Sequence, residues 1–420
     1  MRERRFGEIS YKQIIWILTV VLLAGFIILE KYSWGKYFFL LISGLIFAID
    51  NLTYRGSSIP LGPFQIGFGL FIAYCFMTSL WALSSSNAIE FSITLVLIYI
   101  CLLLIAPHYI RQNDISELLS AIMWASVIVA IYTISFYGID TLIAASKTQY
   151  VRLGNDYSNI NTVGMFCAFG VVVQFEKWLY NKKFQFSMPF VLISIFVVAC
   201  TQSRKALLLM VIGCVMLVVM KNYDNEKFVQ SIIKIAVVLV AFGALMFAIS
   251  QISFFSGVQE RLAQLFSVFT GVGELDSGSV NRQIMVQFGF TMWKKHPILG
   301  VGLNCTRILA EQYLGFNAYL HNNFIEILCA TGVVGFLLYY GLYVYVFSQL
   351  LKYREYDRRY FIFGIMWLVV SLVMDIGMVS YYGKTQCFYL FVQFLNVLLM
   401  KSKAYGQVCV REDKLWMQQN

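Results

Sequence analysis

The chain has 420 residues, of which 59% are hydrophobic and only 13% are charged, with a formal net charge of +10. A soluble domain carries about a quarter of its residues as charges, so a water-soluble globular fold is excluded. A nucleic-acid partner is excluded as well, because Lys and Arg fall in short clusters between apolar runs, a placement that orients membrane helices.

The first apolar run, Ile14 to Leu29, follows Arg2, Arg4 and Arg5. No small-residue cleavage site follows it, so it reads as an uncleaved first span. A span needs about 20 mostly apolar residues, and on that basis about twelve are predicted, at roughly 14–29, 37–50, 64–83, 88–106, 118–137, 161–178, 188–202, 206–220, 230–250, 323–350, 360–378 and 386–400. The run at 323–350 is long enough to tilt or protrude. The expected fold is therefore an all-α integral membrane protein. Transmembrane helices 1–9 occupy 1–250, a large outer loop occupies 251–322, helices 10–12 occupy 323–400, and a cytoplasmic tail occupies 401–420. With the N-terminus inside, most Lys and Arg lie on the cytoplasmic side, and both termini are expected there.

Two outer segments are more than connectors. One lies near 138–161. The other, 251–322, is long enough to be functional, and its apolar residues recur at helical spacing. Leu262, Leu265, Phe266 and Phe269 follow Gln259-Glu260-Arg261, and Ile284, Met285 and Phe288 follow Ser279, an expected N-cap. Amphipathic helices lying on the outer membrane surface are expected.

The nine Cys are single and mostly inside apolar runs, with no C-x-x-C pair. They read as packing residues, and neither a zinc site nor a disulfide framework is expected. Glu274 and Asp276 have metal-pair spacing, but they sit in a Gly- and Ser-rich turn that solvation explains, so no metal ligand set is assigned.

Chemistry-bearing residues gather at the outer ends of spans. His108 falls in a short cytoplasmic turn and is given no role. His296 opens His296-Pro297-Ile298-Leu299-Gly300-Val301-Gly302, where Pro and Gly mark a chain reversal. His321 closes the long loop just before an apolar helix. An imidazole there suits general-base work near neutral pH, though a helix cap with an interfacial His fits the pattern equally. Asn322 and Glu326 are four apart on one helix face, so either could orient the ring or a substrate hydroxyl. Arg204 and Lys205 sit between two apolar runs on the outer side, against the positive-inside preference. Arg282 begins a loop helix, and Arg152 precedes Asn159 and Asn161 in the earlier outer segment. Guanidinium forks suit phosphate oxygens and keep their charge; the alternative for each arginine is a snorkelling anchor.

Taken together, several stretches resemble the O-antigen ligase/polymerase superfamily. These are Ser279-Val280-Asn281-Arg282, His296 to Gly302, His321-Asn322-Asn323-Phe324-Ile325-Glu326 and Gly332-Val333-Val334-Gly335, with Ser203-Arg204 and Arg152 to Asn161 upstream. The resemblance runs from about residue 150 to 345. One departure is Ala330-Thr331, where the family often has an acidic residue just before the glycine. The resemblance implies a bacterial inner-membrane glycosyltransferase with GT-C-like architecture. It would act on an undecaprenyl-diphosphate-linked oligosaccharide at the periplasmic or extracellular face, without metal or cofactor and with inversion. Carried over, Arg204 and Arg282 hold the diphosphate, with Arg152 and Lys205 as further candidates, and His321 activates the acceptor. Partners implied are the lipid-linked glycan, membrane lipid and a chain-length regulator protein.

The leading expectation is a capsule- or O-antigen-type polysaccharide polymerase. A ligase that moves the finished glycan to a lipid or protein acceptor is the alternative, and a flippase for lipid-linked oligosaccharide is the second alternative.

Overall fold

The computed structural model describes residues 5–6, 9–54, 62–147, 153–181, 187–222, 233, 277–315 and 317–419. Among these, apart from a two-residue antiparallel pairing of Arg5–Phe6 with Ile9–Ser10, the regular structure is helical. The expected span at 230–250, the expected helix around 262–269, Glu274, Asp276 and Arg152 lie outside the described residues.

The chain divides into two compact units. The first comprises residues 3–42 and 116–280, the second 43–115 and 281–420.

The first unit holds α1 (Tyr11–Ile28), α5 (Ser116–Tyr137), α6 (Ile139–Lys147), α7 (Ile160–Asn181), α8 (Met188–Cys200) and α9 (Arg204–Asn222), together with the start of α2 (Gly35–Thr53). Helix α1 begins at a capping box, with the Gln13 N–H donating to Ser10 Oγ at 3.3 Å and the Ser10 N–H to Gln13 Oε1 at 2.9 Å. Helix α7 lies at the centre of this unit, packed against α5, α8 and α9. The Glu30 carboxylate accepts from the Ser158 hydroxyl and, at 3.2 Å, from the Asn159 N–H, while Lys31 Nζ donates to the Asn155 carbonyl. These bonds fix the chain entering α7.

The second unit holds the rest of α2, α3 (Pro63–Met77), α4 (Ser85–Gln112), α10 (Ser277–Lys295), α11 (Thr306–Leu314), α12 (Asn323–Lys352), α13 (Arg358–Asp375) and α14 (Lys384–Gln419). Helix α12 packs on α3, α13 and α14. His108 is not in a turn. Helix α4 runs through Pro107 to Gln112 and buries His108, whose Nδ1 meets Asp50 Oδ1 at 3.1 Å. Arg111 pairs with the other Asp50 oxygen at 3.2 Å. A proline this late in a helix removes one backbone bond without ending the helix.

Eight helices among the described residues are long and apolar enough to cross a membrane: α1 to α5 (α3 with the single turn that follows it), α7, α9 and α12. The chain is a multi-pass membrane protein, and the described residues do not confirm the expected count of twelve spans. The segment near 188–202 forms the 13-residue apolar helix α8, short for a span. Helix α13 carries Arg358, Arg359 and Asp375 within its 18 residues, and Gln386, Gln393 and Asn396 dilute α14. Helix α14 continues through 401–419, where a separate tail is expected from the sequence. Leu41, Leu45, Leu70, Leu337 and Val344 stay exposed on span surfaces, as lipid-facing side chains do.

Helix α12 is not one continuous span. Gly332 interrupts it with φ 66° and ψ −170°, a conformation that is essentially glycine-only. The segment after α10 docks backbone to backbone onto this break. The Val301 N–H donates to Cys329 O and the Gly302 N–H to Ala330 O, both at 2.9 Å, and the Val333 N–H donates to Pro297 O at 2.9 Å. A Cβ at Gly332 would lie 2.1 Å from the Ile298 carbonyl oxygen, and one at Gly300 would lie 2.5 Å from the Ala330 carbonyl. The two glycine motifs of the sequence are thus the two halves of one close backbone contact.

Candidate functional site

In the first unit, α8 and α9 are joined by Thr201, Gln202 and Ser203 alone. Gln202 takes φ 50°, and its side-chain amide donates to the Ala145 carbonyl at the end of α6. Ser203 Oγ accepts from the Ala206 N–H at 3.4 Å, as an N-cap does. Arg204 and Lys205, both half-buried, therefore occupy the first turn of α9. A helix N-terminus carries about half a positive charge, so the first turn of α9 is a favourable place for an anion.

In the second unit, α10 begins close to the N-cap expected at Ser279, and Arg282 is half-buried on its first turns. The helix does not stand alone. Met285 and Met292 join Val301, Cys305, Leu309, Ala310, Leu320 and Cys329 in one buried cluster, with Phe288 packed against it. This core ties α10, the docked segment, α11 and the start of α12 into a single body. His296 is exposed at the end of α10, where its carbonyl accepts from the Gly300 N–H at 3.1 Å.

His321 sits between α11 and α12, half-buried, at φ 56°. A left-handed conformation at a non-glycine residue persists only when its surroundings hold it there. On one side, the Leu320 N–H donates to Glu326 Oε2 at 2.8 Å, and the Thr306 hydroxyl donates to Glu326 Oε1. On the other, Asn322 caps α12 by accepting from the Ile325 N–H at 3.1 Å, and its amide donates to the Ile376 carbonyl at 3.2 Å. Glu326 is fully buried. Glu326 and Asn322 thus hold the backbone on either side of His321. The imidazole itself stacks at a tilt on Tyr319, with centroids 4.3 Å apart.

Asn323 fixes the same corner from beneath. Its side-chain oxygen accepts from the Ser380 and Tyr381 N–H groups at 2.8 and 3.1 Å. Its amide donates to buried Asp375 at 3.2 Å and to the Tyr340 hydroxyl at 2.9 Å. Tyr340 and Ser380 also donate to Asp375.

Arg307 escapes a reading by sequence pattern, where it counts as one more loop charge. It lies on α11, half-buried, with its guanidinium 5.2 Å from the centre of the Tyr319 ring and its Nη2 donating to the Tyr382 hydroxyl at 3.5 Å. Burial alone would lower its pKa, but the Tyr382 oxygen and the Glu326 carboxylate outweigh burial and raise it. Burial and the nearby Glu326 push the Tyr382 hydroxyl up to about 12, so it stays neutral at physiological pH. The only sequence signal for Arg307 is a lone cation in a short segment followed by Tyr313 and Tyr319.

Residues 189–340 match the family model described as O-antigen ligase. No curated protein gives a match. The matched stretch runs from α8 into α12 and contains Arg204, Arg282, the His296–Gly302 segment, His321 and Gly332; Arg152 precedes it. Residues 189–340 are therefore similar to the Wzy_C O-antigen ligase domain, whose family members are membrane glycosyltransferases of the O-antigen ligase and polymerase kind.

Proposed function

We propose that the protein polymerises a polysaccharide by moving a growing glycan from undecaprenyl diphosphate onto a lipid-linked repeat unit, at the outer face of a bacterial inner membrane. The acceptor hydroxyl oxygen attacks the anomeric carbon of the donor sugar and forms the new glycosidic bond. The bond from that carbon to the diphosphate breaks, and the diphosphate leaves with the electron pair. The acceptor proton passes to His321. Direct displacement inverts the anomeric centre.

In this reading Arg204 and Arg282 take the negative charge that grows on the leaving diphosphate, Lys205 adds to it, and Arg152 is a further contact. The reading needs no metal, because fixed guanidinium groups supply the charge stabilisation. The observation that carries the reading is the fixing of His321. A strained left-handed residue, braced by Glu326 on one side and Asn322 on the other, is costly to hold unless its ring does something.

The matched family carries the ligase name, which favours a second reading. There the finished glycan moves to a lipid or protein acceptor with the same residues in the same roles. A surface-glycan ladder with extraction of the lipid-linked pool separates the two. Loss of the protein leaves single repeat units if it polymerises and long lipid-linked chains if it ligates.

A further inference from the structure

Arg307, on α11 of the second unit, has no part in the proposed transfer. Among the described residues it makes no ion pair, and its Nε is buried without a hydrogen-bond partner. Its hydrogen bond among the described residues is the long one to Tyr382. The nearest acidic group in electrostatic reach is Glu326, but both oxygens of that carboxylate are already occupied, by Thr306 and Leu320. A half-buried guanidinium with most of its donors unused is placed to take an oxyanion.

Its surroundings say what kind. Arg307 and His321 both contact the ring of Tyr319, so the cation lies beside the group read as the acceptor's base. Tyr382 continues the aromatic surface and packs edge-on against Phe91, with centroids 5.1 Å apart. Tyr319 and Tyr382 are both half-buried; the apolar C–H face of a pyranose packs on aromatic rings, and a planar guanidinium matches a planar carboxylate.

We propose that Arg307, Tyr319 and Tyr382 form an acceptor subsite for an acidic sugar, the tyrosine rings taking the pyranose and the guanidinium taking its carboxylate. The proposal rests on the reading of His321 as the acceptor's base, and it narrows the substrate class to glycans that carry a uronic acid at the accepting end.

The test uses the purified full chain in lipid nanodiscs and measures binding, not transfer. The probes are methyl glucuronide and methyl glucoside, which differ at the C6 carboxylate. Wild type should bind the glucuronide at least about tenfold more tightly. Arg307→Gln should erase that preference. Arg307→Lys keeps the charge that balances Glu326 and should keep the melting temperature, yet it should recover little of the preference, because an ammonium is no fork. Inorganic pyrophosphate should not displace the glucuronide. Equal binding of the two glycosides by wild type overturns the proposal, as does a preference that survives Arg307→Gln. Full rescue by Arg307→Lys would reduce Arg307 to charge balance, and displacement by pyrophosphate would assign it to the diphosphate; either result also overturns it. The wild-type comparison requires no variant to fold. The reading of His321 is scored separately, on chain elongation by His321→Ala, so the two can fail independently.

Discussion

Replacing Gly332 by alanine tests the docking of the Pro297–Gly302 segment onto α12. The backbone at Gly332 has φ 66° and ψ −170°, and placing an L side chain there costs about 1–3 kcal/mol. The added Cβ would also lie 2.1 Å from the Ile298 carbonyl oxygen and 2.3 Å from its carbon. Backbone cannot rotate away as a side chain can, so the segment from Pro297 to Gly302 must lift. Lifting it breaks the bonds from the Val333 and Val334 N–H groups to Pro297 O and Ile298 O, now 2.9 and 3.4 Å long, at about 0.5–1.5 kcal/mol each. The sum is roughly 2–6 kcal/mol, a large share of the total stability of an ordinary fold. Thermal unfolding of detergent-purified protein, followed by size-exclusion chromatography, should show Gly332→Ala melting several degrees below wild type, with long-chain glycan lost in cells. A variant that melts with wild type and supports a full glycan ladder would refute the argument that the backbone contact holds the site together.

Arg204→Lys should lose most glycan extension although the charge is kept, because a point charge does not reproduce a two-pronged guanidinium contact; a near-normal ladder would end the bidentate account. Glu326→Leu removes the acceptor of the Leu320 N–H, leaves that buried donor unsatisfied at about 1–3 kcal/mol, and shifts the backbone beside His321. Transfer by purified protein should fall sharply, and retention of wild-type rates would remove Glu326 from the support of the base. Chelator should leave transfer by purified protein unchanged, and a loss restored by a divalent cation would contradict charge stabilisation by arginine alone.

Much of the fold is legible in the sequence because lipid imposes one strong rule, a long apolar run for each span. That rule finds α1 to α5, α7, α9 and α12. It misreads α12 as unbroken, because a single glycine inside an apolar run does not show that its φ is positive. It places His108 in a turn because the apolar run is taken to end at 106, whereas α4 runs on and Asp50 on α2 pairs with the buried ring. The motif segments around Gly300 and Gly332 are visible as separate signals. Their pairing is not, since the bonds joining them are backbone to backbone and leave no pattern in the side chains.

The site divides in the same way. His321, Asn322 and Glu326 stand out by their grouping, but the sequence suggests that a side chain orients the ring or a substrate. In the structure Asn322 and Glu326 act on the backbone at either side of His321. Arg307 stays hidden because it looks like any loop charge until Tyr319 and Tyr382, 12 and 75 residues further on, are brought to it.

The most direct test of the central claim is a surface-glycan ladder from a deletion strain complemented with wild-type or His321→Ala protein, with the lipid-linked pool extracted in parallel. The account predicts that deletion and His321→Ala both leave single repeat units on the lipid and no long chains, while wild type restores the ladder. A full ladder from His321→Ala would contradict the assignment of His321 as the base, and long chains accumulating on undecaprenyl diphosphate would contradict the polymerase reading in favour of a ligase.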